Sequence, residues 1–250
     1  MPDLLREVLA TPGLIWLILT ISVAGVVRGF TGFGTALIFV PVAGIFLPPT
    51  MVIAIMTLTG VASNAALLPR AWGKADRREV GTLALAAVVT VPLGLWLISV
   101  VDREVIRWIV SFVAAVTLVV VIAGWRYTGR LALPGLLGIG ALSGLIGGLT
   151  GLTGPVVIMF YLASQSTAQS VRANTILFLA SLDVVIVINL AFGDTLGWEV
   201  ALLAAVLSVP YFITSLIGQA LFDPSHERAY RVAAYGVIAL ALVSGLPIWN

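Results

Sequence analysis

Apolar residues fill the chain in long uninterrupted runs, and charged residues collect in the short connections between them. Measured against the roughly 20 residues a helix needs to cross a bilayer, these runs predict ten helical pieces. Residues 14–28 run into a break and 35–47 resume after it, followed by fuller spans at 51–68, 80–100 and 105–124. The second half repeats this order: 131–146, a break, 155–163, then spans at 172–192, 198–221 and 229–249. The pattern predicts an all-α polytopic membrane protein. The pieces beside the breaks are short for independent spans and read as hairpins, 14–47 and 131–163. Whether their arms cross fully stays open.

The breaks are Gly29-Phe-Thr-Gly-Phe-Gly-Thr35 and Gly147-Gly-Leu-Thr-Gly-Leu-Thr-Gly-Pro155. A glycine inside a helix costs about 1 kcal/mol relative to alanine. Several glycines with β-branched threonines between them should stop the helix. Broken backbone at membrane depth survives only where protein buries it or where it lines a watery cavity. Breaks in corresponding places of two halves point to the substrate site of a transporter. The alternative is that the glycines only let helices pack closely, as the spacing of Gly25 and Gly29 would allow.

An internal duplication accounts for the two halves. An offset of 119 residues places Gly29 on Gly148, Thr31 on Thr150, Gly32 on Gly151, Ala54 on Ala173 and Asn64 on Asp183. Slightly different offsets place Val91-Pro92 on Val209-Pro210 and Gly124 on Gly245. Agreement of glycine, proline and polar positions in order indicates two repeats, 1–128 and 129–250. Lysine and arginine in short loops mark the cytoplasmic side, which places Arg70, Lys74, Arg77 and Arg78 there. Counting spans brings Arg126, Arg130, His226 and Arg228 to that side and leaves Asp194 and Glu199 on the other. The hairpins then enter from opposite faces, an inverted repeat in which each half is a glycine-broken hairpin plus three transmembrane helices. Trp72, Trp108, Trp125, Trp198 and Trp249 fall near span ends, where tryptophan anchors at the interface.

Composition narrows the chemistry. Sixty per cent of residues are hydrophobic and ten per cent charged, against about 25% charged in a soluble domain. The net charge of +2 comes from loops and makes no case for nucleic acid. Without cysteine there are no disulfides or thiolate sites. A single histidine and one clear mid-span carboxylate cannot assemble the usual catalytic or metal constellations. No phosphate-cradling GxxxxGK[ST] loop is present. No catalytic residue, metal or cofactor is therefore assigned. Ser22-Val-Ala24 resembles a cleavage site, but Asp3, Arg6 and Glu7 lack the positive lead of a signal, so the segment is expected to be mature structure.

Opposed hairpins would bring Arg28, Thr31, Gly32, Phe33, Gly34 and Thr35 close to Thr150, Gly151, Leu152, Thr153 and Gly154. Each resuming helix presents free N–H groups and the positive end of its dipole, which bind anions. Pro155 suits the first turn of such a helix. The predicted ligand is a small oxyanion such as sulfite, a sulfonate or a carboxylate. For each threonine the alternative is a bond back to its own helix. Arg28 either pairs with the substrate or snorkels to the headgroups. Asp183, with Asn64 at its counterpart, either couples a proton or sodium to transport or makes a structural hydrogen bond. Asn174, Asn189 and Gln219 are secondary candidates that would otherwise join helices.

On these residues the chain resembles the TauE/SafE sulfite exporter family, also called the 4-toluene sulfonate uptake permeases. The resemblance rests on Gly29 to Thr35 followed by Pro41, on Gly147 to Pro155, and on Arg172-Ala-Asn-Thr175, and it covers essentially the whole chain. It departs at Asn174, where the family commonly has glycine, and at Ile55-Met56. The resemblance implies a multi-pass protein of the bacterial inner membrane that moves sulfite, organosulfonates or related small organic anions. The expected function is secondary transport by alternating access at the two hairpins. An anion channel or an intramembrane enzyme are the competing readings. The expected partners are the anion, the lipid bilayer and a coupling proton or sodium, with homo-oligomerisation left open.

Overall fold

Helix ends in this chain are set by glycine, proline and one acidic cap. In the structure, a computed structural model, residues 8–124, 132–163, 167–192, 197–221 and 227–249 are described. Trp125, Arg126, Arg130, Asp194 and His226 lie outside them. The first half contains α1 (Leu14–Thr31), α2 (Thr35–Phe46), α3 (Pro49–Trp72), α4 (Arg77–Val100) and α5 (Arg103–Ala123). The second contains α6 (Leu133–Thr150), α7 (Pro155–Ala163), α8 (Ala168–Phe192), α9 (Trp198–Ala220) and α10 (Glu227–Gly245), followed by a 3-10 turn at Pro247–Trp249. No strand occurs among the described residues. Among the described residues six helices, α1, α4, α5, α6, α8 and α9, are long and apolar enough to cross a membrane. The chain is an all-α polytopic membrane protein.

Local chemistry explains several boundaries. Pro49 opens α3 at a position where its missing N–H costs nothing. Asp76 caps α4, its Oδ1 accepting from the N–H groups of Arg78 and Glu79 at 3.1 Å each. Gly32 and Gly151 end α1 and α6 with φ of 83° and 76°, the left-handed conformation in which glycine commonly terminates a helix. Arg103 ties down the far end of α2, donating to the carbonyls of Gly44 at 2.9 Å and Leu47 at 3.1 Å.

Packing follows one scheme in both halves. Helix α1 lies on α9, and α6 lies on α4; α2 meets α10, and α5 meets α7. Helices α3 and α8 pack on each other at the middle. Small residues make the first two pairings close. A methyl group on Gly25 or Gly29 would overlap the backbone of Tyr211 or Ser215 in α9, and one on Gly218 would overlap Val26. Gly140, Gly144 and Gly148 stand in the same way against Leu83, Ala87 and Val91. Close packing therefore accounts for Gly25 and Gly29, as small-xxx-small spacing does generally in membranes. It does not account for Gly32 or Gly34, whose backbone is left-handed. Leu85, Val89, Phe112 and Val119 are largely exposed on the outward faces, a surface suited to acyl chains. Trp72, Trp108 and Trp198 are also exposed and sit within a few residues of helix ends.

Candidate functional site

The helix ends at the two breaks are closed by corresponding bonds. Thr31 Oγ1 donates to Val27 O at 2.8 Å and accepts from Phe33 N–H at 3.2 Å. Thr150 Oγ1 donates to Ile146 O at 2.7 Å and accepts from Leu152 N–H at 3.1 Å. Gly32 N–H closes onto Arg28 O, and Gly151 N–H onto Gly147 O. These hydroxyls hold the chain as it leaves one helix. The bond back to their own helix is thus the arrangement found for Thr31 and Thr150.

Beyond each left-handed glycine the chain restarts as α2 or α7. The first-turn N–H groups of such a helix have no acceptor within it. Both restarts open onto one buried cavity, to which α1, α2, α3, α7, α8 and α9 all contribute. From the first break come Phe33, Gly34 and Thr35; from the second, Thr153, Gly154 and Pro155. Arg28, Gly60, Asp183 and Tyr211 complete its polar and small-residue lining. At about 30 Å³ it has room for about two water molecules. A sulfonate needs more, so the walls must part to admit one.

Charge in this cavity is organised as a chain of hydrogen bonds. Arg28 Nη2 donates to Asn64 Oδ1 at 2.7 Å, and Asn64 Nδ2 donates to Asp183 Oδ2 at 2.8 Å. Arg28 is only 6% exposed and Asp183 7%. Arg28 therefore points inward and does not snorkel. Gly60, one turn before Asn64, leaves space for the carboxylate: a methyl group there would come within 2.6 Å of Asp183 Oδ2. Thr35 Oγ1 and Tyr211 OH, also in the lining, share a 2.7 Å hydrogen bond.

The structure brings Arg28, Phe33, Gly34, Thr35, Thr153, Gly154 and Asp183 to the cavity wall, with Asn64 bridging behind. Thr31, Gly32, Thr150, Gly151 and Leu152 shape the turns without lining it. Of the secondary candidates, Asn189 bonds back to Val185 O at 2.8 Å. Gln219 Oε1 accepts from Arg70 at 2.9 Å, and Asn174 Oδ1 accepts from Asp76 N–H at 2.7 Å; both join separate elements. Tyr211 and Gly60 were not singled out by sequence reasoning. Tyr211 follows Pro210, and the counterpart Pro92 is followed by Leu93, so a polar residue breaking the repeat was the available signal. Among the described residues no cluster could hold a metal ion.

Comparison with known proteins gives a consistent result. A family profile described as "Sulfite exporter TauE/SafE" matches residues 17–245. The chain is 24% identical over 214 residues to the "Probable sulfite/organosulfonate exporter TauE" of Cupriavidus necator, covering 83% of this chain and 84% of that protein. No solved structure matches it.

Proposed function

The chain belongs to the sulfite exporter TauE/SafE family, and from that premise we propose that it is a secondary transporter of sulfite, organosulfonates or chemically similar small carboxylates. The observation that carries this reading is the convergence of two broken hairpins on one buried cavity that also holds Arg28 and Asp183. The anion would sit between the restarts of α2 and α7, held by their free N–H groups and by Arg28, with Thr35, Tyr211 and Thr153 offering hydroxyls. Exchange of the two halves preserves the principal helix pairings, which supports a repeat of 1–128 and 129–250; opposed entry of the hairpins, as loop charge indicates, would make it inverted and suit alternating access by movement of one half against the other. A cavity this small favours a carrier over an open channel.

Asp183 is proposed as the coupling group. It faces Asn64 and Gly60 on α3, and the Arg28 guanidinium of α1 stands beyond Asn64. With Asp183 ionised, the cavity's two charges cancel and an arriving anion gains little. With Asp183 protonated, Arg28 is left as net positive charge and the anion is held. One proton would then travel with each monovalent anion. The test is uptake of labelled sulfite and isethionate into proteoliposomes under an imposed pH gradient, with sodium present or replaced by choline. Saturable, proton-driven uptake with counterflow is expected. Ohmic currents without saturation, or dependence on sodium alone, would reject the reading.

A further inference from the structure

Helices α3 and α9 belong to different halves and pack on each other. Gly60 of α3 and Tyr211 of α9 line the central cavity. Toward the end of the molecule that carries Arg70 the same seam closes at the surface, where Arg70 Nη1 donates to Gln219 Oε1 at 2.9 Å. Between cavity and surface stand Ser63, one turn beyond Gly60, and Ser215, one turn beyond Tyr211. Both serines are fully buried, and neither hydroxyl hydrogen-bonds to another described residue. Burying a hydroxyl without a partner is costly, and each such group in a folded protein calls for a reason. Close packing supplies half of one: the carbonyl of Ser215 lies where a methyl group on Gly29 would stand. That demands a small residue, which alanine would satisfy, and leaves the hydroxyl unexplained. Ser111 and Ser143 are also unpaired, but their helices, α5 and α6, contribute nothing to the cavity lining.

We propose that Ser63 and Ser215 form a second oxyanion station, on the route from the cavity to the Arg70 face, an inference that rests on the transport reading above. A hydroxyl has one proton to donate, and a hydrogen bond to a charged oxygen is about twice as strong as one to a neutral acceptor. With the seam closed, the two hydroxyls have nothing to donate to. When the halves move apart, the Arg70–Gln219 bond breaks and the seam becomes a wet cleft. A sulfite or sulfonate leaving Arg28 then meets two donors before it reaches Arg70. The station has no charge of its own, so it lowers the barrier between the two arginines without trapping the solute. Passage requires binding favourable enough to enter and weak enough to leave.

Uptake of labelled isethionate into proteoliposomes tests this. Ser63→Ala and Ser215→Ala keep each residue small and remove only the hydroxyl. Each should lower kcat about fivefold and the pair about twentyfold, while the Kd for isethionate in a thermal-shift titration stays within about twofold, since the cavity is untouched. A merely structural serine would leave kcat alone. The chain has no cysteine, so Ser63→Cys and Ser215→Cys each introduce a single thiol, and these variants serve if the double alanine variant does not insert. During turnover each thiol should react with 2-(trimethylammonio)ethyl methanethiosulfonate, an impermeant cation, added at the Arg70 face, and not with reagent added at the other. Alanine variants with wild-type kcat, or thiols that do not react from the Arg70 face, in a protein whose wild type carries isethionate would overturn the station and leave the carrier standing. A wild type that carries neither isethionate nor sulfite would overturn the transport reading itself, and the station with it.

Discussion

The first and second breaks share the turn that ends the helix and differ beyond it, where Gly34 is left-handed and Thr153 is not, and in what surrounds it. Each ends a helix at a threonine, turns at a left-handed glycine and closes the same pair of side-chain bonds. Around the first stand Arg28 and Arg172; at the equivalent places around the second stand Gly147 and Ile53. At the shared middle, Asn64 on α3 meets Asp183 on α8. The two turns are alike in the bonds that end their helices, and the charges around them are not. The architecture of such a protein is read from what the halves have in common, and its chemistry from what they do not.

The largest expected effect comes from removing the charge that the first break has and the second lacks. Arg28→Gln takes the guanidinium from the cavity and leaves Asp183 without it. Sulfite uptake should fall at least a hundredfold, and loss of the charged hydrogen bond to Asn64 should cost about 1.5–3 kcal/mol of stability, read as a lower melting temperature in detergent. Uptake within tenfold of wild type would remove Arg28 from the site.

Gly32→Leu and Gly151→Leu test whether the scaffolds are equivalent. Both force a side chain into left-handed backbone at about 1–2 kcal/mol, but only the former also meets Arg172. Both should stop transport, with Gly32→Leu lowering folded yield more; an active Gly32→Leu protein would contradict the role given to the break.

Asp183→Asn asks which of the middle pair titrates. Wild-type uptake of isethionate, a sulfonate ionised throughout, should rise as pH falls, because protonating Asp183 leaves Arg28 uncompensated. The asparagine variant should bind isethionate with little pH dependence and fail to accumulate it against a gradient. Unaltered pH dependence would take Asp183 out of coupling. Gly60→Ala should mimic part of this by displacing the carboxylate.

The smallest effects are expected at the hydroxyls. Tyr211→Phe removes one partner of Thr35 and should weaken sulfite binding by about 1 kcal/mol, roughly fivefold in a thermal-shift titration. Thr31→Val and Thr150→Val should each destabilise their turn by a similar amount while leaving affinity nearly unchanged, since these hydroxyls bond to their own helices. A large and unequal loss of affinity would show that one of them turns toward the solute.

Long apolar runs, clustered glycines and loop charge are local properties, so the helices, the two breaks and the membrane setting were legible in the chain. Thr31, Gly32, Thr150 and Gly151 each bond within four residues of themselves, so no distant partner is needed to set those turns. The inward aim of Arg28, the Asn64 bridge to Asp183, the space left by Gly60 and the Thr35–Tyr211 bond join residues far apart in sequence. Hydropathy cannot say which side of a transmembrane helix faces lipid and which faces a neighbour, because both sides are apolar. Only the packing of α3 on α8 and of α1 on α9 decided which polar groups share a cavity and which merely hold helices together.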